Sequence, residues 1–411
     1  MRNGILLKIR VGLCPQKNDS MKEVYIMSIS RTPIGSLGGV LSSLSATQLG
    51  SAAAKEAIKK AGIEPAQIEE VIMGNVLSAN VGQAPAQQVA VFSGIPDHVP
   101  CTTVNKVCAS GMKAIMLGAQ SIMTGHADVV LAGGMESMSN VPYYLDRARS
   151  GYRYGHQQVI DGIIRDGLWD PYKNYAMGNA GEVCAREYQF SRAQQDEYAI
   201  ESYNRAIKAQ KEGWFNLELI PVEVMNGKDK VQITVDEEPA KVKFDKIAAL
   251  KPAFDKEGTI TAANASKIND GASAVVLMSA DKARELGIKP LARIIGFADA
   301  SQAPEWFTTT PAKAIHAALK RAGKQLSEVD YFEINEAFSV VSMANNRLLN
   351  IAPEKANVFG GAVALGHPIG NSGARITCTL TSVLKHKNAR IGAAAICNGG
   401  GGASALIIEN C

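Results

Sequence analysis

The segment Ala57-Ile-Lys-Lys-Ala-Gly62 returns as Ala318-Leu-Lys-Arg-Ala-Gly323, and the match runs on without a gap: Ile68 falls on Val329, Val71 on Phe332 and Gly74 on Asn335. Each copy reads as a helix closed by glycine, a turn and a strand. The offset stays nearly constant farther along, where Ser110-Gly111 precedes one apolar helix and Ser372-Gly373 precedes another. An offset shared by several elements is rarely chance, so the chain is expected to fold as two related halves.

A further match locates an insertion. Gly271-Ala-Ser-Ala-Val-Val-Leu277 resembles Gly402-Ala-Ser-Ala-Leu-Ile-Ile408, yet the first copy lies far beyond its Gly133-Gly134. The excursion, about Ser137 to Ile268, is richer in Tyr, Lys, Arg, Asp and Gln than its flanks and holds the helical run Arg192 to Glu212. A cap over the core is predicted. The division expected is an N-terminal extension at 1–20, a first half at 21–137 plus 269–290, an inserted cap at 138–268 and a second half at 291–411. Continuous apolar strands such as Val129–Ala132 and Ala393–Ile396, beside helices with wide apolar faces (Met112, Ile115, Met116, Ala119, Ile122), predict buried parallel strands covered on both sides. The fold class expected is therefore a duplicated α/β core of stacked layers.

With 411 residues, 46% of them hydrophobic and 20% charged, a large core is available. A net charge of +4, dispersed along the chain, is too small to argue for a nucleic-acid interface, and no nucleic-acid partner is expected. Seven cysteines without tight pairs, and no secretory signal, point to a reducing compartment and a cytoplasmic location. Arg2, Lys8, Arg10 and Lys17 all precede the first acid, Asp19. A mispredicted start is the simpler reading of that segment, and a basic mitochondrial address is the alternative. Lys22 to Ser28 reads as the first strand. The uncharged stretch Ile391 to Ile408 contains five glycines and Asn398, which reads as two strands around a loop rather than a membrane span.

Chemistry concentrates in three loops. Cys108 stands in Asn105-Lys-Val-Cys-Ala-Ser-Gly111, Cys397 in Ile396-Cys-Asn-Gly-Gly-Gly-Gly402, and His367 in Gly366-His-Pro-Ile-Gly370. Small neighbours leave a sulfur open to substrate and free nearby backbone N–H groups for an oxyanion, which suggests acyl chemistry on a thioester. Duplication sets the Cys108 and His367 loops in nearly equivalent places, each just ahead of a helix. There the helix N-terminus and the imidazole are expected to favour the Cys108 thiolate. Cys14, Cys101, Cys184, Cys378 and Cys411 read as apolar filler, and His98, His126, His156, His316 and His386 as structural. Zinc is disfavoured because there is no Cys-x-x-Cys pair. Gly399 to Gly402 lacks the Lys-Ser/Thr that a phosphate loop requires.

Four blocks, Asn105 to Gly111, Asn335-Glu-Ala-Phe338, Gly366-His-Pro368 and Cys397-Asn-Gly399, resemble the catalytic blocks of the thiolases. The resemblance covers the chain after Met21 and is closest to the biosynthetic, acetoacetyl-CoA type, which shares Val107 to Lys113 and Gly133-Gly-Met-Glu-Ser-Met-Ser139. It implies a five-layered α-β-α-β-α core with an inserted cap domain, and acetyl-CoA C-acetyltransferase activity: reversible Claisen condensation of two acetyl-CoA to acetoacetyl-CoA and CoA. Cys108, activated by His367, would carry the acetyl group, and Cys397 would remove an α-proton from the second acetyl-CoA. His367 with a water held by Asn335 would serve the enolate, and the N–H groups of Cys108 and Gly399 the acyl-enzyme.

The same resemblance points to Ser266 for CoA, with Leu168, Met177, Ala253, Phe254, Ala337 and Phe338 along the pantetheine channel. It further suggests a potassium ion near Tyr203, Ala262, Ala263, Ala265 and Val363, no required cofactor beyond CoA as substrate and product, and a homotetramer built as a dimer of dimers. One departure bears on acyl-chain preference: Ala176 stands where many relatives place histidine. The alternatives are a degradative thiolase acting on longer 3-ketoacyl-CoAs by the same residues, a decarboxylating ketoacyl synthase, and a catalytically silent acyl-CoA binder.

Overall fold

The computed structural model describes residues 21–411. The expected extension at 1–20, with Cys14, lies outside the described residues.

The two copies of the repeat take the same form. Ser45 and Gln48 close a capping box at the start of helix Ala46–Ala61, and Gly62 ends it in the left-handed region. Gly323 ends helix Thr310–Ala322 in the same way. Each is followed by a single 3₁₀ turn, Pro65–Gln67 or Leu326–Glu328, and then by strand Glu70–Gly74 or Tyr331–Ile334.

The sheets repeat too. In the first half the order is Val24–Arg31, Asn269–Ser279, Val129–Ser137, Glu70–Gly74 and Cys101–Val104; in the second it is Ala292–Ser301, Gly402–Asn410, Ile391–Asn398 and Tyr331–Ile334. Strands expected to be parallel are in fact mixed. Val129–Ser137 pairs parallel with Glu70–Gly74 but antiparallel with Asn269–Ser279, and Ile391–Asn398 is parallel to Tyr331–Ile334 but antiparallel to Gly402–Asn410. The reason is local: residues 399–401 form a glycine turn too short for a crossover, with Gly400 and Gly401 both at φ +84°, so the next strand must run back. In the first half the chain leaves the sheet at the equivalent place, after Ser137, and rejoins it at Asn269.

The halves are also hydrogen-bonded to each other, which stacked but separate sheets would not be. Val24–Ile26 pairs antiparallel with Ala292–Ile294, and bulges between Ile26 and Ser28 and between Ile294 and Gly296 bend the ladder. Folding at this seam yields five layers: Ala46–Ala61 and Pro85–Phe92 outside the first sheet, Thr310–Ala322 outside the second, and helices Ser110–Met123 and Ile369–Lys387 between them. The expected α-β-α-β-α core is present. Glycine lets the central helices touch. A β-carbon at Gly111 would lie 2.8 Å from the Ala374 nitrogen, and one at Gly373 would lie 2.5 Å from the Met112 nitrogen. Cys108 and His367 sit just ahead of these two helix starts.

Between the sheet strands, residues 138–268 form short strands, helix Met177–Glu187 and helix Arg192–Lys211. Ala199, Tyr203, Ala206 and Ala209, at helical spacing, pack on Phe359, Val363, Ala364 and Leu365. Deeper still, wholly buried Arg31 donates to Glu218 and forks onto Asp236, and Thr379 and Ser382 satisfy Glu218 further. Among the described residues no helix is long and apolar enough to cross a membrane.

Candidate active site

The residues around Cys108 form a tight knot. The Asn105 side chain accepts from the Val107 N–H, the Ser110 hydroxyl donates to the Val107 carbonyl, and the Lys106 N–H donates to that hydroxyl oxygen. Val107 is driven to φ +48°, an uncommon and costly conformation for a β-branched residue. The result presents the Cys108 sulfur to the N–H of Gly399 and to its own N–H. Burial nevertheless pushes the thiol up to about 12, outweighing those two donors, with the Glu136 charge adding to the rise. Burial thus acts against the thiolate that the helix N-terminus and the imidazole were expected to favour. Cys397 is buried, and burial followed by the charge of neighbouring Cys108 raises its thiol well above the usual range. Both sulfurs rest protonated.

His367 is held on two sides. Its backbone N–H donates to Asn269, and its Nδ1 lies 2.6 Å from the Ser372 hydroxyl. That hydroxyl spends its one proton on the Pro368 carbonyl, at 2.9 Å. A hydroxyl so engaged accepts from the ring, which assigns the hydrogen to Nδ1 and the lone pair to Nε2. Nε2 finds no partner among the described residues, and His367 lines a cleft. Burial, and secondarily the Arg375 charge, hold the imidazole down to about 3, so it is neutral. Asn335 is buried and, among the described residues, neither of its side-chain polar atoms has a partner, as a site for an ordered water requires.

The cleft holds about 630 Å³ and is lined by Leu168, Met177, Ala253, Phe254, Ser266 and Phe338, together with Ala176 and Ala262. Met177 and Trp169 also border a more polar recess of about 880 Å³, where Val107 and Gly399 emerge. A β-carbon at Gly399 would stand 3.7 Å from both Met177 and Val107, inside the approach to the Cys108 sulfur. Ala337 is the exception among the expected lining residues. It is absent from the wall, and its carbonyl accepts from the Ser266 N–H at 3.0 Å, so it positions the loop rather than touching the channel. Of the groups expected around potassium, the carbonyls of Ala265 and Val363 instead accept from the Lys267 ammonium. The filler reading fails for Cys411, which is exposed, and holds for buried Cys184 and Cys378.

Sequence reasoning missed the supports. Glu136, within a stretch already singled out, accepts from the N–H groups of Val76, Leu77 and Gly370, and so fixes the start of the His367 helix. Glu336, beside Asn335, accepts from Tyr198, Ser202, Asn357 and the Val363 N–H. Their place inside the quoted blocks was the one available signal. Lys267 and Lys241, also on the cleft, carried none.

A duplicated α/β core that carries Cys108 and His367 just ahead of its two central helices, with the Gly399 N–H on the Cys108 sulfur, fits an acyltransferase. The model of the thiolase N-terminal domain matches residues 24–281, and that of the thiolase C-terminal domain residues 288–410. The chain belongs to the thiolase family. It is 57% identical to an acetyl-CoA acetyltransferase of Schizosaccharomyces pombe over 94% of this chain and 98% of that protein. It is 54% identical to an acetyl-CoA acetyltransferase of Gibberella zeae described as cytosolic, over 95% of this chain and 99% of that one. A crystal structure of the Acat5 thiolase from Ascaris suum in complex with coenzyme A superposes with a TM-score of 0.91 at 48% identity, covering 95% of this chain and 100% of that one.

Proposed function

We propose that this thiolase is an acetyl-CoA C-acetyltransferase, condensing two acetyl-CoA to acetoacetyl-CoA and CoA, and running the reverse thiolysis. The names of its relatives support the substrate, and the orientation of His367 supports the mechanism: a neutral base with its lone pair on the cleft. As the Cys108 sulfur attacks the first thioester carbonyl, its proton passes to His367 Nε2, and the N–H groups of Cys108 and Gly399 take up the oxyanion. Collapse breaks the carbon–sulfur bond to CoA. The departing thiolate takes the Cys397 proton, leaving acetyl-Cys108, an imidazolium and a Cys397 thiolate.

That thiolate then removes the α-proton of the second acetyl-CoA. His367 Nε2–H and a water on Asn335 hold the enolate oxygen. The carbanion attacks acetyl-Cys108, and Cys108 leaves and recovers its proton from His367. Cys108, His367 and Cys397 regain their starting protonation states, the substrate's α-proton on Cys397 replacing the proton that left with CoA. Leu168, Met177, Ala253, Phe254, Ser266 and Phe338 are the CoA channel in this reading, with Ala337 behind Ser266. The segment 138–268 acts as the cap over halves 21–137 plus 269–290 and 291–411. A cytosolic location follows the Gibberella relative, and a homotetramer is the assembly inferred. The longer-chain alternative draws no support from the relatives matched.

The test is a peptide map after reaction with labelled acetyl-CoA. The acetyl group belongs on Cys108, and Cys397→Ala should still acquire it while failing to exchange the α-protons of acetyl-CoA with deuterated water. Label on Cys397 overturns the assignment.

A further inference from the structure

Lys267 ends the loop that carries Ser266 along the cleft wall. Its ammonium donates to the Ala265 carbonyl at 3.0 Å and to the Val363 carbonyl at 3.2 Å, and lies 5.4 Å from the centroid of the Tyr203 ring. Tyr203, Ala265 and Val363 are three of the five groups that a bound potassium ion was expected to meet. Those residues do not fit the ion here, because a −NH₃⁺ already sits on the oxygens it would need, and two cations cannot share one set of carbonyl dipoles. Burial lowers the ammonium to about 8, and the Glu238 and Glu336 carboxylates act in the opposite direction to keep it charged.

We propose that Lys267 supplies its own ammonium as the monovalent cation of this site, making the enzyme independent of potassium and pinning the Ser266 loop to the Val363 segment that leads into His367. The proposal rests on the reading of the cleft as the CoA channel. Its geometry is connected at both ends. Val363 belongs to Ala362–Leu365, which runs directly into Gly366 and His367, and Ala265 is bridged to Phe338, which also lines the cleft. Lys267 is therefore a positioning residue, holding two cleft walls at the spacing the thioester needs. Removing it should act on substrate affinity more than on chemistry. A shortened side chain would expose the same carbonyls and the Tyr203 face to a solvent cation.

Thermal melts and acetyl-CoA kinetics in potassium, sodium and choline chloride of equal ionic strength decide it, on the wild type, Lys267→Ala and Lys267→Met. The wild type is expected to melt and turn over alike in all three salts. Lys267→Ala is expected to melt lower and show a KM raised about tenfold in choline, with both largely recovered in potassium, since the void admits the ion. Lys267→Met fills that void without charge and should be impaired equally in every salt. A wild type stabilised or activated by potassium over choline overturns the proposal, as does a Lys267→Ala protein that responds to no cation. Melting is read without substrate, so a failed functional assignment, visible in the acetylation map, stays distinguishable from a failed lysine assignment.

Discussion

The hydroxyl of Ser372 decides which nitrogen of His367 is a base, so Ser372→Ala is the sharpest single test of the site. In the wild type the Nδ1–H has a short acceptor in a buried setting, while Nε2 faces the cleft. Without the hydroxyl, the Nδ1–H tautomer leaves a buried donor unsatisfied, at a cost of about 1–3 kcal/mol. The other tautomer avoids that cost by moving the proton to Nε2, where it blocks acceptance of the Cys108 proton. Converted at about 1.4 kcal/mol per decade, the productive tautomer falls about 5- to 150-fold, and acetylation should slow by that factor with KM nearly unchanged. The assay is rapid-quench acetylation of Cys108 read by mass, with a thermal melt alongside to show that the variant folds. Ser372→Thr keeps the hydroxyl and should restore most of the rate. Wild-type acetylation by folded Ser372→Ala would refute the tautomer assignment.

Three further outcomes follow from the same physics. Asn335→Ala should slow condensation about 10²- to 10³-fold while acetylation of Cys108 stays close to wild type, because the water it holds serves only the enolate; equal losses in both half-reactions would remove that role. Arg31→Met strands Glu218 and Asp236 in the core and should cost about 3–5 kcal/mol of stability, read from the urea midpoint. His367 is neutral down to pH about 3 when folded against 6.5 when unfolded, so the unfolded chain binds the extra proton in between. Stability from this group is complete above pH 6.5 and is lost as pH falls towards 3, at about 1.4 kcal/mol per pH unit. In His367→Gln that component of the pH slope should vanish, and an unchanged slope would contradict the buried neutral imidazole.

The legible part of the fold was the repeat. Gly62 and Gly323 announce the same helix ending because only glycine adopts the left-handed cap without strain, and Gly111 and Gly373 mark the crossing of the central helices. Strand direction was not legible. Val129–Ala132 and Ala393–Ile396 are buried on both faces whichever way their neighbours run, so apolar continuity says nothing about parallel or antiparallel pairing. The three reactive residues stood out through their small neighbours, whereas their supports did not. Glu136 and Glu336 act through hydrogen bonds to groups distant in the chain, Ser372 through a turn of helix back to His367 that its residue type does not announce, and Lys267 through carbonyls, which carry no residue identity at all.

The resting charge of the site resolves what looks like a paradox, a nucleophile and a base both held in their less reactive thiol forms. A thiolate in this cleft would have to be kept charged in an apolar setting between turnovers, which is costly without a fixed counter-ion. Neutral Cys108, His367 and Cys397 avoid that cost. Charge arises only once a thioester reacts: the imidazolium forms as Cys108 attacks and the Cys397 thiolate as CoA departs with a proton, and each then offsets the other's charge. The duplicated frame makes this arrangement possible: the first half contributes one sulfur, the second the imidazole, the second sulfur and Asn335. Gly74, standing where Asn335 stands, shows the first half relieved of that chemistry; a β-carbon there would lie 2.5 Å from the Gly111 nitrogen, so the position has been given over to packing the Cys108 helix.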